Sequence, residues 1–467
     1  MSDTAAQIGL FDRAIRRIAN VWRDMASTVT VNEDEGIPGQ MRACLQARGG
    51  EVSARNRAAK LAQTYLGLND EGRRAFLVDL AGFDSDPAAA VLAFAAVQAA
   101  TDPADRAMAQ VALRRALEPP RVRLLTQFTT IPDGMKFLVD LRATLLKLKG
   151  ADPWLAALEN DLKQLLASWF DVGFLELQRI DWNSPAVLLE RLVGYEAVHE
   201  IRSWSDLKNR LDSDRRCYAL FHHRMPNEPL IFVEVALVRG LSDSVQRLLD
   251  KKAPLLDPKE ADTAIFYSIS NCQKGLAGIS FGNFLIKRVV EVLGNEYRNL
   301  KTFSTLSPMP GFRRWLDAKL RDNDPKLLAD DEATSLRTAA PPTEAAYETG
   351  SQALAAILAK RGWHRDLVMC KAAEPVLVRL GARYLLAESR GTRAIDPVAH
   401  FHLSNGARVE RIMAQADTSE KGGKESATLM VNYLYDPTKI EDYHEDYAGA
   451  GKRNASTAVR KLARGWA

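Results

Sequence analysis

The chain has 467 residues, 46% of them hydrophobic, which allows roughly two to four domains with buried cores. Its 63 Lys and Arg against 59 Asp and Glu leave a net charge of +4, too slight to make nucleic acid a leading partner, although a local basic site for a small polyanion stays open. The cysteines, Cys44, Cys217, Cys272 and Cys370, are scattered without Cys-x-x-Cys or Cys/His ligand spacing, which fits a reducing compartment and implies neither structural zinc nor a disulfide framework.

The first 30 residues contain no unbroken apolar stretch, and Asp3, Asp12 and Asp24 argue against a mitochondrial presequence. No uncharged apolar run reaches spanning length, so the expected place is the cytoplasm, with no membrane partner. The first third then reads as helix after helix. Segments 53–68, 86–100, 104–118 and 135–149 carry apolar residues at three- and four-residue steps behind Ser, Asp or Pro starts, and Phe137, Leu138, Leu141, Leu145 and Leu148 make one such stripe. These helices share no period, so an irregular bundle is expected rather than a repeat array.

Near residue 171 the character changes. CYALFHHRMPNEPLIFVEVALV (217–238) reads as a β-hairpin, and 263–270, a glycine-bearing loop, an amphipathic 282–298 and 300–307 read as strand, loop, helix, strand. Leu285, Val289, Val292 and Leu293 give that helix its stripe. Residues 318–345 look like a loop, as does TSEKGGKES (418–426), which is either a plain connection or a flap; 427–436 reads as a strand and 456–464 as a basic helix. The fold class expected is α+β, a helical domain over 1–170 followed by a mixed-sheet domain over 171–467.

Three places could carry chemistry. In FSTLSPMPGFRRWL (303–316) two prolines and a glycine stiffen the turn after Ser307, which either ends a strand or aims a hydroxyl. In QKGLAGISFGN (273–283), Gly275, Gly278 and Gly282 precede a helix, so the loop is either an ordinary turn or a cradle whose N–H groups approach a phosphate. It is no Walker loop, and it lacks the acid of a dinucleotide fold. Of seven histidines, His199, His364 and His444 are expected to be solvated, and His222 and His223 to point to opposite faces of a strand. His400 and His402 would share a face if extended. No Cys or carboxylate completes a zinc set there, so one of them acting as acid or base competes with a structural role. No Gly-x-Ser-x-Gly elbow surrounds Ser307, which speaks against an acyl-enzyme.

Taken together and in order, FHHRMPNEPLIFVEVAL, TAIFYSISNCQKGLAGISFGNFLIKRVV, FSTLSPMPGFRRWL, HFHLSNGARVERI and LMVNYLYD resemble the malonyl-CoA decarboxylase family, over most of 135–467. The resemblance implies a helical domain used for oligomerisation, with a homotetramer expected, and a catalytic domain of the acetyltransferase (GNAT) type. It implies malonyl-CoA as substrate, no cofactor and no metal. It maps catalytic roles onto Ser307 and His402, and substrate contacts onto Ser268, onto Ala277, Gly278, Ile279, Ser280, Phe281, Gly282 and Asn283, and onto Tyr435. Relatives carry a glutamate where this chain has Ser280, which leaves that acid's role without an occupant. A CoA-dependent N-acyltransferase on the same fold is the alternative activity.

Overall fold

The computed structural model describes residues 21–25, 36–46, 50–279, 282–324, 326–344 and 346–464. They form two compact units, one drawn from Met1–Glu176, Phe221–Leu230 and Asn271–Phe281, the other from Leu177–Leu220, Ile231–Ser270 and Gly282–Ala467.

In the first unit the expected helices are present as Gly50–Leu66, Pro87–Ala99, Pro103–Leu117 and Gly134–Leu148, joined by Gly36–Leu45, Asp70–Ala81, Pro120–Gln127 and Pro153–Trp169. Their starts follow from capping chemistry. Asp86, Asp102 and Asp152 each accept backbone N–H groups of the first turn and are followed by proline at the first helical position. The 137–148 stripe packs as the periodicity implies. Phe137, Leu138, Leu141 and Leu145 are buried, and the Phe137 ring meets Trp22, Tyr65 and Phe128 at centroid distances of 5.5, 5.6 and 4.9 Å. By contrast, Pro87–Ala99 and Pro103–Leu117 bury none of their residues.

The strands are β1 (Leu175–Ile180), β2 (Arg215–His222), β3 (Ile231–Val238), β4 (Thr263–Asn271), β5 (Thr302–Thr305), β6 (Ser307–Pro308), β7 (Ser389–Arg390), β8 (Arg393–Ala394), β9 (Arg408–Met413) and β10 (Met430–Tyr435). β7 and β8 form a small ribbon; the others make one mixed sheet in the order β1-β2-β3-β4-β5-β10, with β6 and β9 also paired to β10. The hairpin expected at 217–238 is β2–β3, antiparallel. β4 and β5 run parallel, and parallel neighbours need a crossover. It is supplied by helix Gly282–Glu296, which buries Leu285, Val289 and Leu293. This is the mixed-sheet α+β architecture expected. Alternation along the strands sorts one face from the other: Ile265, Tyr267, Leu306 and Met430 join Ala236, Val245 and Met413 in a closed apolar cluster, leaving Phe266, Ser268, Thr305, Ser307, Tyr433 and Tyr435 to the opposite face.

Several expectations fail for local reasons. Within 318–345, the helix Asp330–Ala339 replaces the expected loop; acids at Asp330, Asp331 and Glu332 complement its N-terminus, and Arg379 Nε binds Glu332 at 2.6 Å. Residues Glu420–Ser426 are helical, capped by the Ser419 side chain on the Gly422 N–H at 3.0 Å. His400 and His402 lie in the helix Pro397–Ser404, where two residues span about 200° of turn, so they point apart. β2 ends at His222, the pleat does not continue, and the His222 and His223 rings sit 4.4 Å apart. His199 is half-buried, its Nε2 enclosed and without a hydrogen-bond partner, and burial pushes it down to about 4.

Candidate functional site

β5 and β6 are one strand interrupted at Leu306. Ser304 pairs with Leu434 and Ser307 with Val431 in a single unshifted register against β10. Between them the ladder passes to side chains: Asn432 Nδ2 donates to the Thr305 carbonyl at 2.7 Å, the Tyr433 N–H to Thr305 Oγ1 at 3.1 Å, and Ser304 Oγ to the Tyr433 carbonyl at 3.1 Å. On its other edge, the Leu306 N–H donates to the Phe266 carbonyl at 3.0 Å, where the β4–β5 pairing ends with Phe266 opposite Thr305. Ser268 and Ser307 each follow that last pair by two residues, so both hydroxyls issue where the two strands stop pairing.

Ser307 Oγ lies 3.0 Å from His402 Nε2 and donates to Thr305 Oγ1 at 2.9 Å. His402 comes from the helix Pro397–Ser404, started by Asp396 and Pro397. Two tyrosines from one face of β10 hold its ring: Tyr433 stacks on it at 4.5 Å and 24°, and the Tyr435 hydroxyl lies 2.7 Å from Nδ1. Ser307, His402 and Tyr435 are thus brought into one continuous contact, all buried.

Burial alone pushes His402 down to about 3, so the imidazole is neutral, and burial raises Tyr435 well above the usual phenol range. Ser307 gives its proton to Thr305 Oγ1 and so accepts from Nε2, which leaves Nδ1 of the neutral ring to accept from the protonated Tyr435 phenol. The ring proton then sits on Nε2, facing Ser307. The result is a directed chain, Tyr435 to His402 to Ser307 to Thr305, that presents one hydroxyl and one N–H side by side. Such a pair can stabilise a developing oxyanion and deliver a proton.

Ser268 is held differently. Its hydroxyl donates to both oxygens of Glu196 at 2.8 and 2.7 Å, and Ser270 Oγ donates to Glu196 Oε2 at 3.2 Å. Glu196 also accepts the N–H groups of Val198 and His199 at 2.9 and 2.7 Å.

The 277–283 segment begins in the helical unit. Gly275 opens it against helix Gly134–Leu148, where a Cβ would stand 1.8 Å from the Val139 carbonyl oxygen. Buried Arg142 donates to the carbonyls of Gly275 and Ala277 at 2.6 and 3.0 Å and pairs with Glu159 at 2.7 Å. Gly278 has φ +75°, a region that favours glycine, and it lies close to the Lys163 ammonium. With Ile279 the loop thus has a fixed main chain from 275 to 279. Ser280 and Phe281 lie outside the described residues, and Gly282 and Asn283 begin the crossover helix. Among the described residues, no group of three His, Cys, Asp or Glu side chains is arranged to hold a metal ion.

Sequence reasoning missed Thr305, Asn432, Tyr433, Glu196 and Asp396. Tyr433 was within reach, since Asn-Tyr-x-Tyr in a strand puts both tyrosines on one face. Asp396 had its Asp-Pro helix-start signature. Glu196, 72 residues from Ser268, left no local signal.

Comparison with known proteins agrees with this architecture. Residues 173–466 match the malonyl-CoA decarboxylase C-terminal domain and 83–170 the malonyl-CoA decarboxylase N-terminal domain. The chain is 35% identical over 472 residues to a mitochondrial malonyl-CoA decarboxylase of Anser anser anser, covering 96% of this chain and 93% of that protein. It is 35% identical over 427 residues to that of Rattus norvegicus, covering 88% and 85%. Among solved structures it is similar to malonyl-CoA decarboxylase from Agrobacterium vitis, with 41% identity, TM-score 0.81 and coverage of 91% of this chain and 99% of that one. The enzyme from Rhodopseudomonas palustris gives 40%, 0.79, 92% and 100%. Matches at this identity over nearly the whole chain define a carboxy-lyase. The chain belongs to the malonyl-CoA decarboxylase family.

Proposed function

We propose that the chain converts malonyl-CoA to acetyl-CoA and CO2, with Ser307 orienting the malonyl group and His402 protonating the product carbon. The observation that carries this reading is the 3.0 Å contact between Ser307 Oγ and His402 Nε2, with the opposite ring nitrogen held by Tyr435. When the bond from the α-carbon to the carboxylate breaks, its electron pair passes into the thioester as an enolate and CO2 departs. Donors placed at the enolate oxygen lower that barrier, and a dry site strengthens them. The Ser307 hydroxyl, freed from Thr305 by rotation, is such a donor. The Nε2 proton of His402 passes to the enolate carbon, and one proton taken up from water restores the imidazole, so malonyl-CoA and a proton give acetyl-CoA and CO2. A neutral imidazole suffices because a thioester enolate is strongly basic.

Ser268 and Tyr435 are assigned to the acyl end of the substrate. The main chain of Ala277, Gly278, Ile279, Ser280, Phe281, Gly282 and Asn283 is assigned to the CoA diphosphate. Support comes from the positive φ of Gly278 and the helix that starts at Gly282, while Arg142 fixes the carbonyls of Gly275 and Ala277. The reaction needs no added cofactor or metal in this scheme. We assign residues 1–170 to oligomerisation and 171–467 to catalysis, with a homotetramer in the cytoplasm. The helices Pro87–Ala99 and Pro103–Leu117 support self-association: Val91, Leu92, Phe94 and Met108 are 68, 73, 52 and 72% exposed, more apolar surface than a lone hairpin keeps in water. Among the described residues, no helix is long and apolar enough to cross a membrane.

The test is CO2 release from malonyl-CoA by the purified chain without added metal, nucleotide or amine. Ser307→Ala and His402→Asn are expected to lose roughly 10²- to 10⁴-fold in kcat while remaining folded. Near wild-type turnover by either variant would remove its assigned role, and acetyl transfer to an added amine without CO2 release would replace the reading with an N-acyltransferase.

A further inference from the structure

We infer that Asp396 is a positioning residue that sets the reach between Ser307 and His402, because one buried carboxylate caps the helix that bears His402 and anchors the tyrosine onto which the turn after Ser307 closes. The inference rests on the proposed roles of those two residues.

Asp396 is fully buried. Its Oδ1 accepts the N–H groups of Val398 and Ala399, each at 2.9 Å, at the start of the helix Pro397–Ser404. His402 follows six residues later, about 9 Å along the axis. The Asp396 Oδ2 accepts from the Tyr384 hydroxyl at 3.1 Å, and that hydroxyl lies against Gly311. Gly311 ends the turn that begins at Ser307. A Cβ at 311 would stand 2.3 Å from the Tyr384 oxygen and 3.7 Å from Asp396 Oδ2, so the glycine lets the turn close onto this pair. Tyr384 is itself fixed, its ring lying 5.6 Å from Phe312 and 5.3 Å from Trp315.

Capping alone explains neither the burial nor the second oxygen. Asp86 and Asp102 start helices with the same Asp-Pro chemistry, yet their cap bonds are exposed and go only to their own helices. Burying a carboxylate is costly unless its lone pairs are filled. At Asp396 they are filled by two separate segments, the helix Leu367–Leu386 that carries Tyr384 and the His402 helix, and a third, the Ser307 turn, closes onto the Tyr384 hydroxyl. A rigid three-way joint of this kind is what a donor pair needs if its two members come from different elements, since a displacement near 1 Å can cost about 10²-fold in rate.

The test is a double-mutant cycle between Asp396→Asn and Ser307→Ala, read as kcat and KM for malonyl-CoA. Asparagine keeps one cap oxygen but sets an amide donor against either the cap N–H groups or the Tyr384 hydroxyl. Asp396→Asn alone is expected to lower kcat about 10- to 100-fold with KM within about twofold. In the Ser307→Ala background it should cost less than about threefold, because the hydroxyl it aims is gone. Tyr384→Phe, which keeps the ring, should lower kcat in the same non-additive way and gives the answer if Asp396→Asn does not fold. Wild-type kcat in folded Asp396→Asn, or full multiplicative loss in the double variant, would overturn the inference. Wild-type turnover by Ser307→Ala would instead overturn the underlying assignment of Ser307, an outcome the cycle reports separately.

Discussion

The Tyr435 hydroxyl lies 2.7 Å from His402 Nδ1, and that bond decides which ring nitrogen carries the proton facing Ser307. Removing the phenol in Tyr435→Phe leaves a buried Nδ1 without its donor, so the imidazole is free to invert its tautomer. We expect kcat to fall roughly 10- to 100-fold with little change in KM, and a nitrogen-15 spectrum of the labelled imidazole to show a mixture of tautomers. A spectrum unchanged from wild type would show that Tyr435 does not direct the proton.

Burial pushes His402 down to about 3 and His199 and His222 down to about 4. In the unfolded chain each protonates near about 6.5. Between those values the unfolded state binds protons that the native state refuses, so stability is fully present above pH about 6.5 and drains away as pH falls toward about 4. Urea midpoints taken from pH about 7.5 down to about 5 should decline, and His402→Asn should flatten the decline. A midpoint that holds steady on acidification would contradict neutral, buried imidazoles.

The hairpin of Pro87–Ala99 and Pro103–Leu117 exposes its apolar residues and buries none. Leu92→Glu combined with Met108→Glu should leave helicity unchanged and lower the mass seen by light scattering, because both charges would have to be buried in any contact made by this surface. A wild-type chain that already scatters as a monomer would end the oligomer assignment.

Gly275 is confined by the Val139 carbonyl, 1.8 Å from where a Cβ would stand. Gly275→Ala must push the loop away from its helix, at about 1 to 3 kcal/mol of stability. If the following main chain binds the CoA diphosphate, KM for malonyl-CoA should rise by roughly tenfold with kcat less affected. Thermal melts and steady-state kinetics on one preparation separate the two effects, and an unchanged KM would detach this loop from the substrate.

Local patterns revealed most of the sheet. The β2–β3 hairpin and the β4–helix–β5 unit were legible because strand alternation and helical periodicity are properties of contiguous residues. Ser307 was legible through the stiffness of its prolines. His402 lies in a helix where an extended segment would have paired it with His400, because Asp396 and Pro397 start that helix six and five residues earlier. The partners that give the site its direction were harder to read. Glu196 reaches Ser268, and Tyr384 meets Gly311, only after chain segments far apart in sequence have packed, and no short window records such a meeting. The exposed face of Pro87–Ala99 was hidden for the opposite reason: apolar spacing reports that a surface needs a cover, not whether the same chain supplies it.

β10 is the last strand in chain order, yet it occupies an interior place, flanked by β5 and β6 on one edge and β9 on the other. During synthesis, everything up to residue 429 must therefore wait with a vacant slot in its sheet. An unpaired β5 edge is a template for pairing between molecules, so incomplete chains of this protein are candidates for chaperone capture. The slot is filled by the strand that also brings Tyr433 and Tyr435 to His402. Closing the sheet and orienting the imidazole are therefore one folding event.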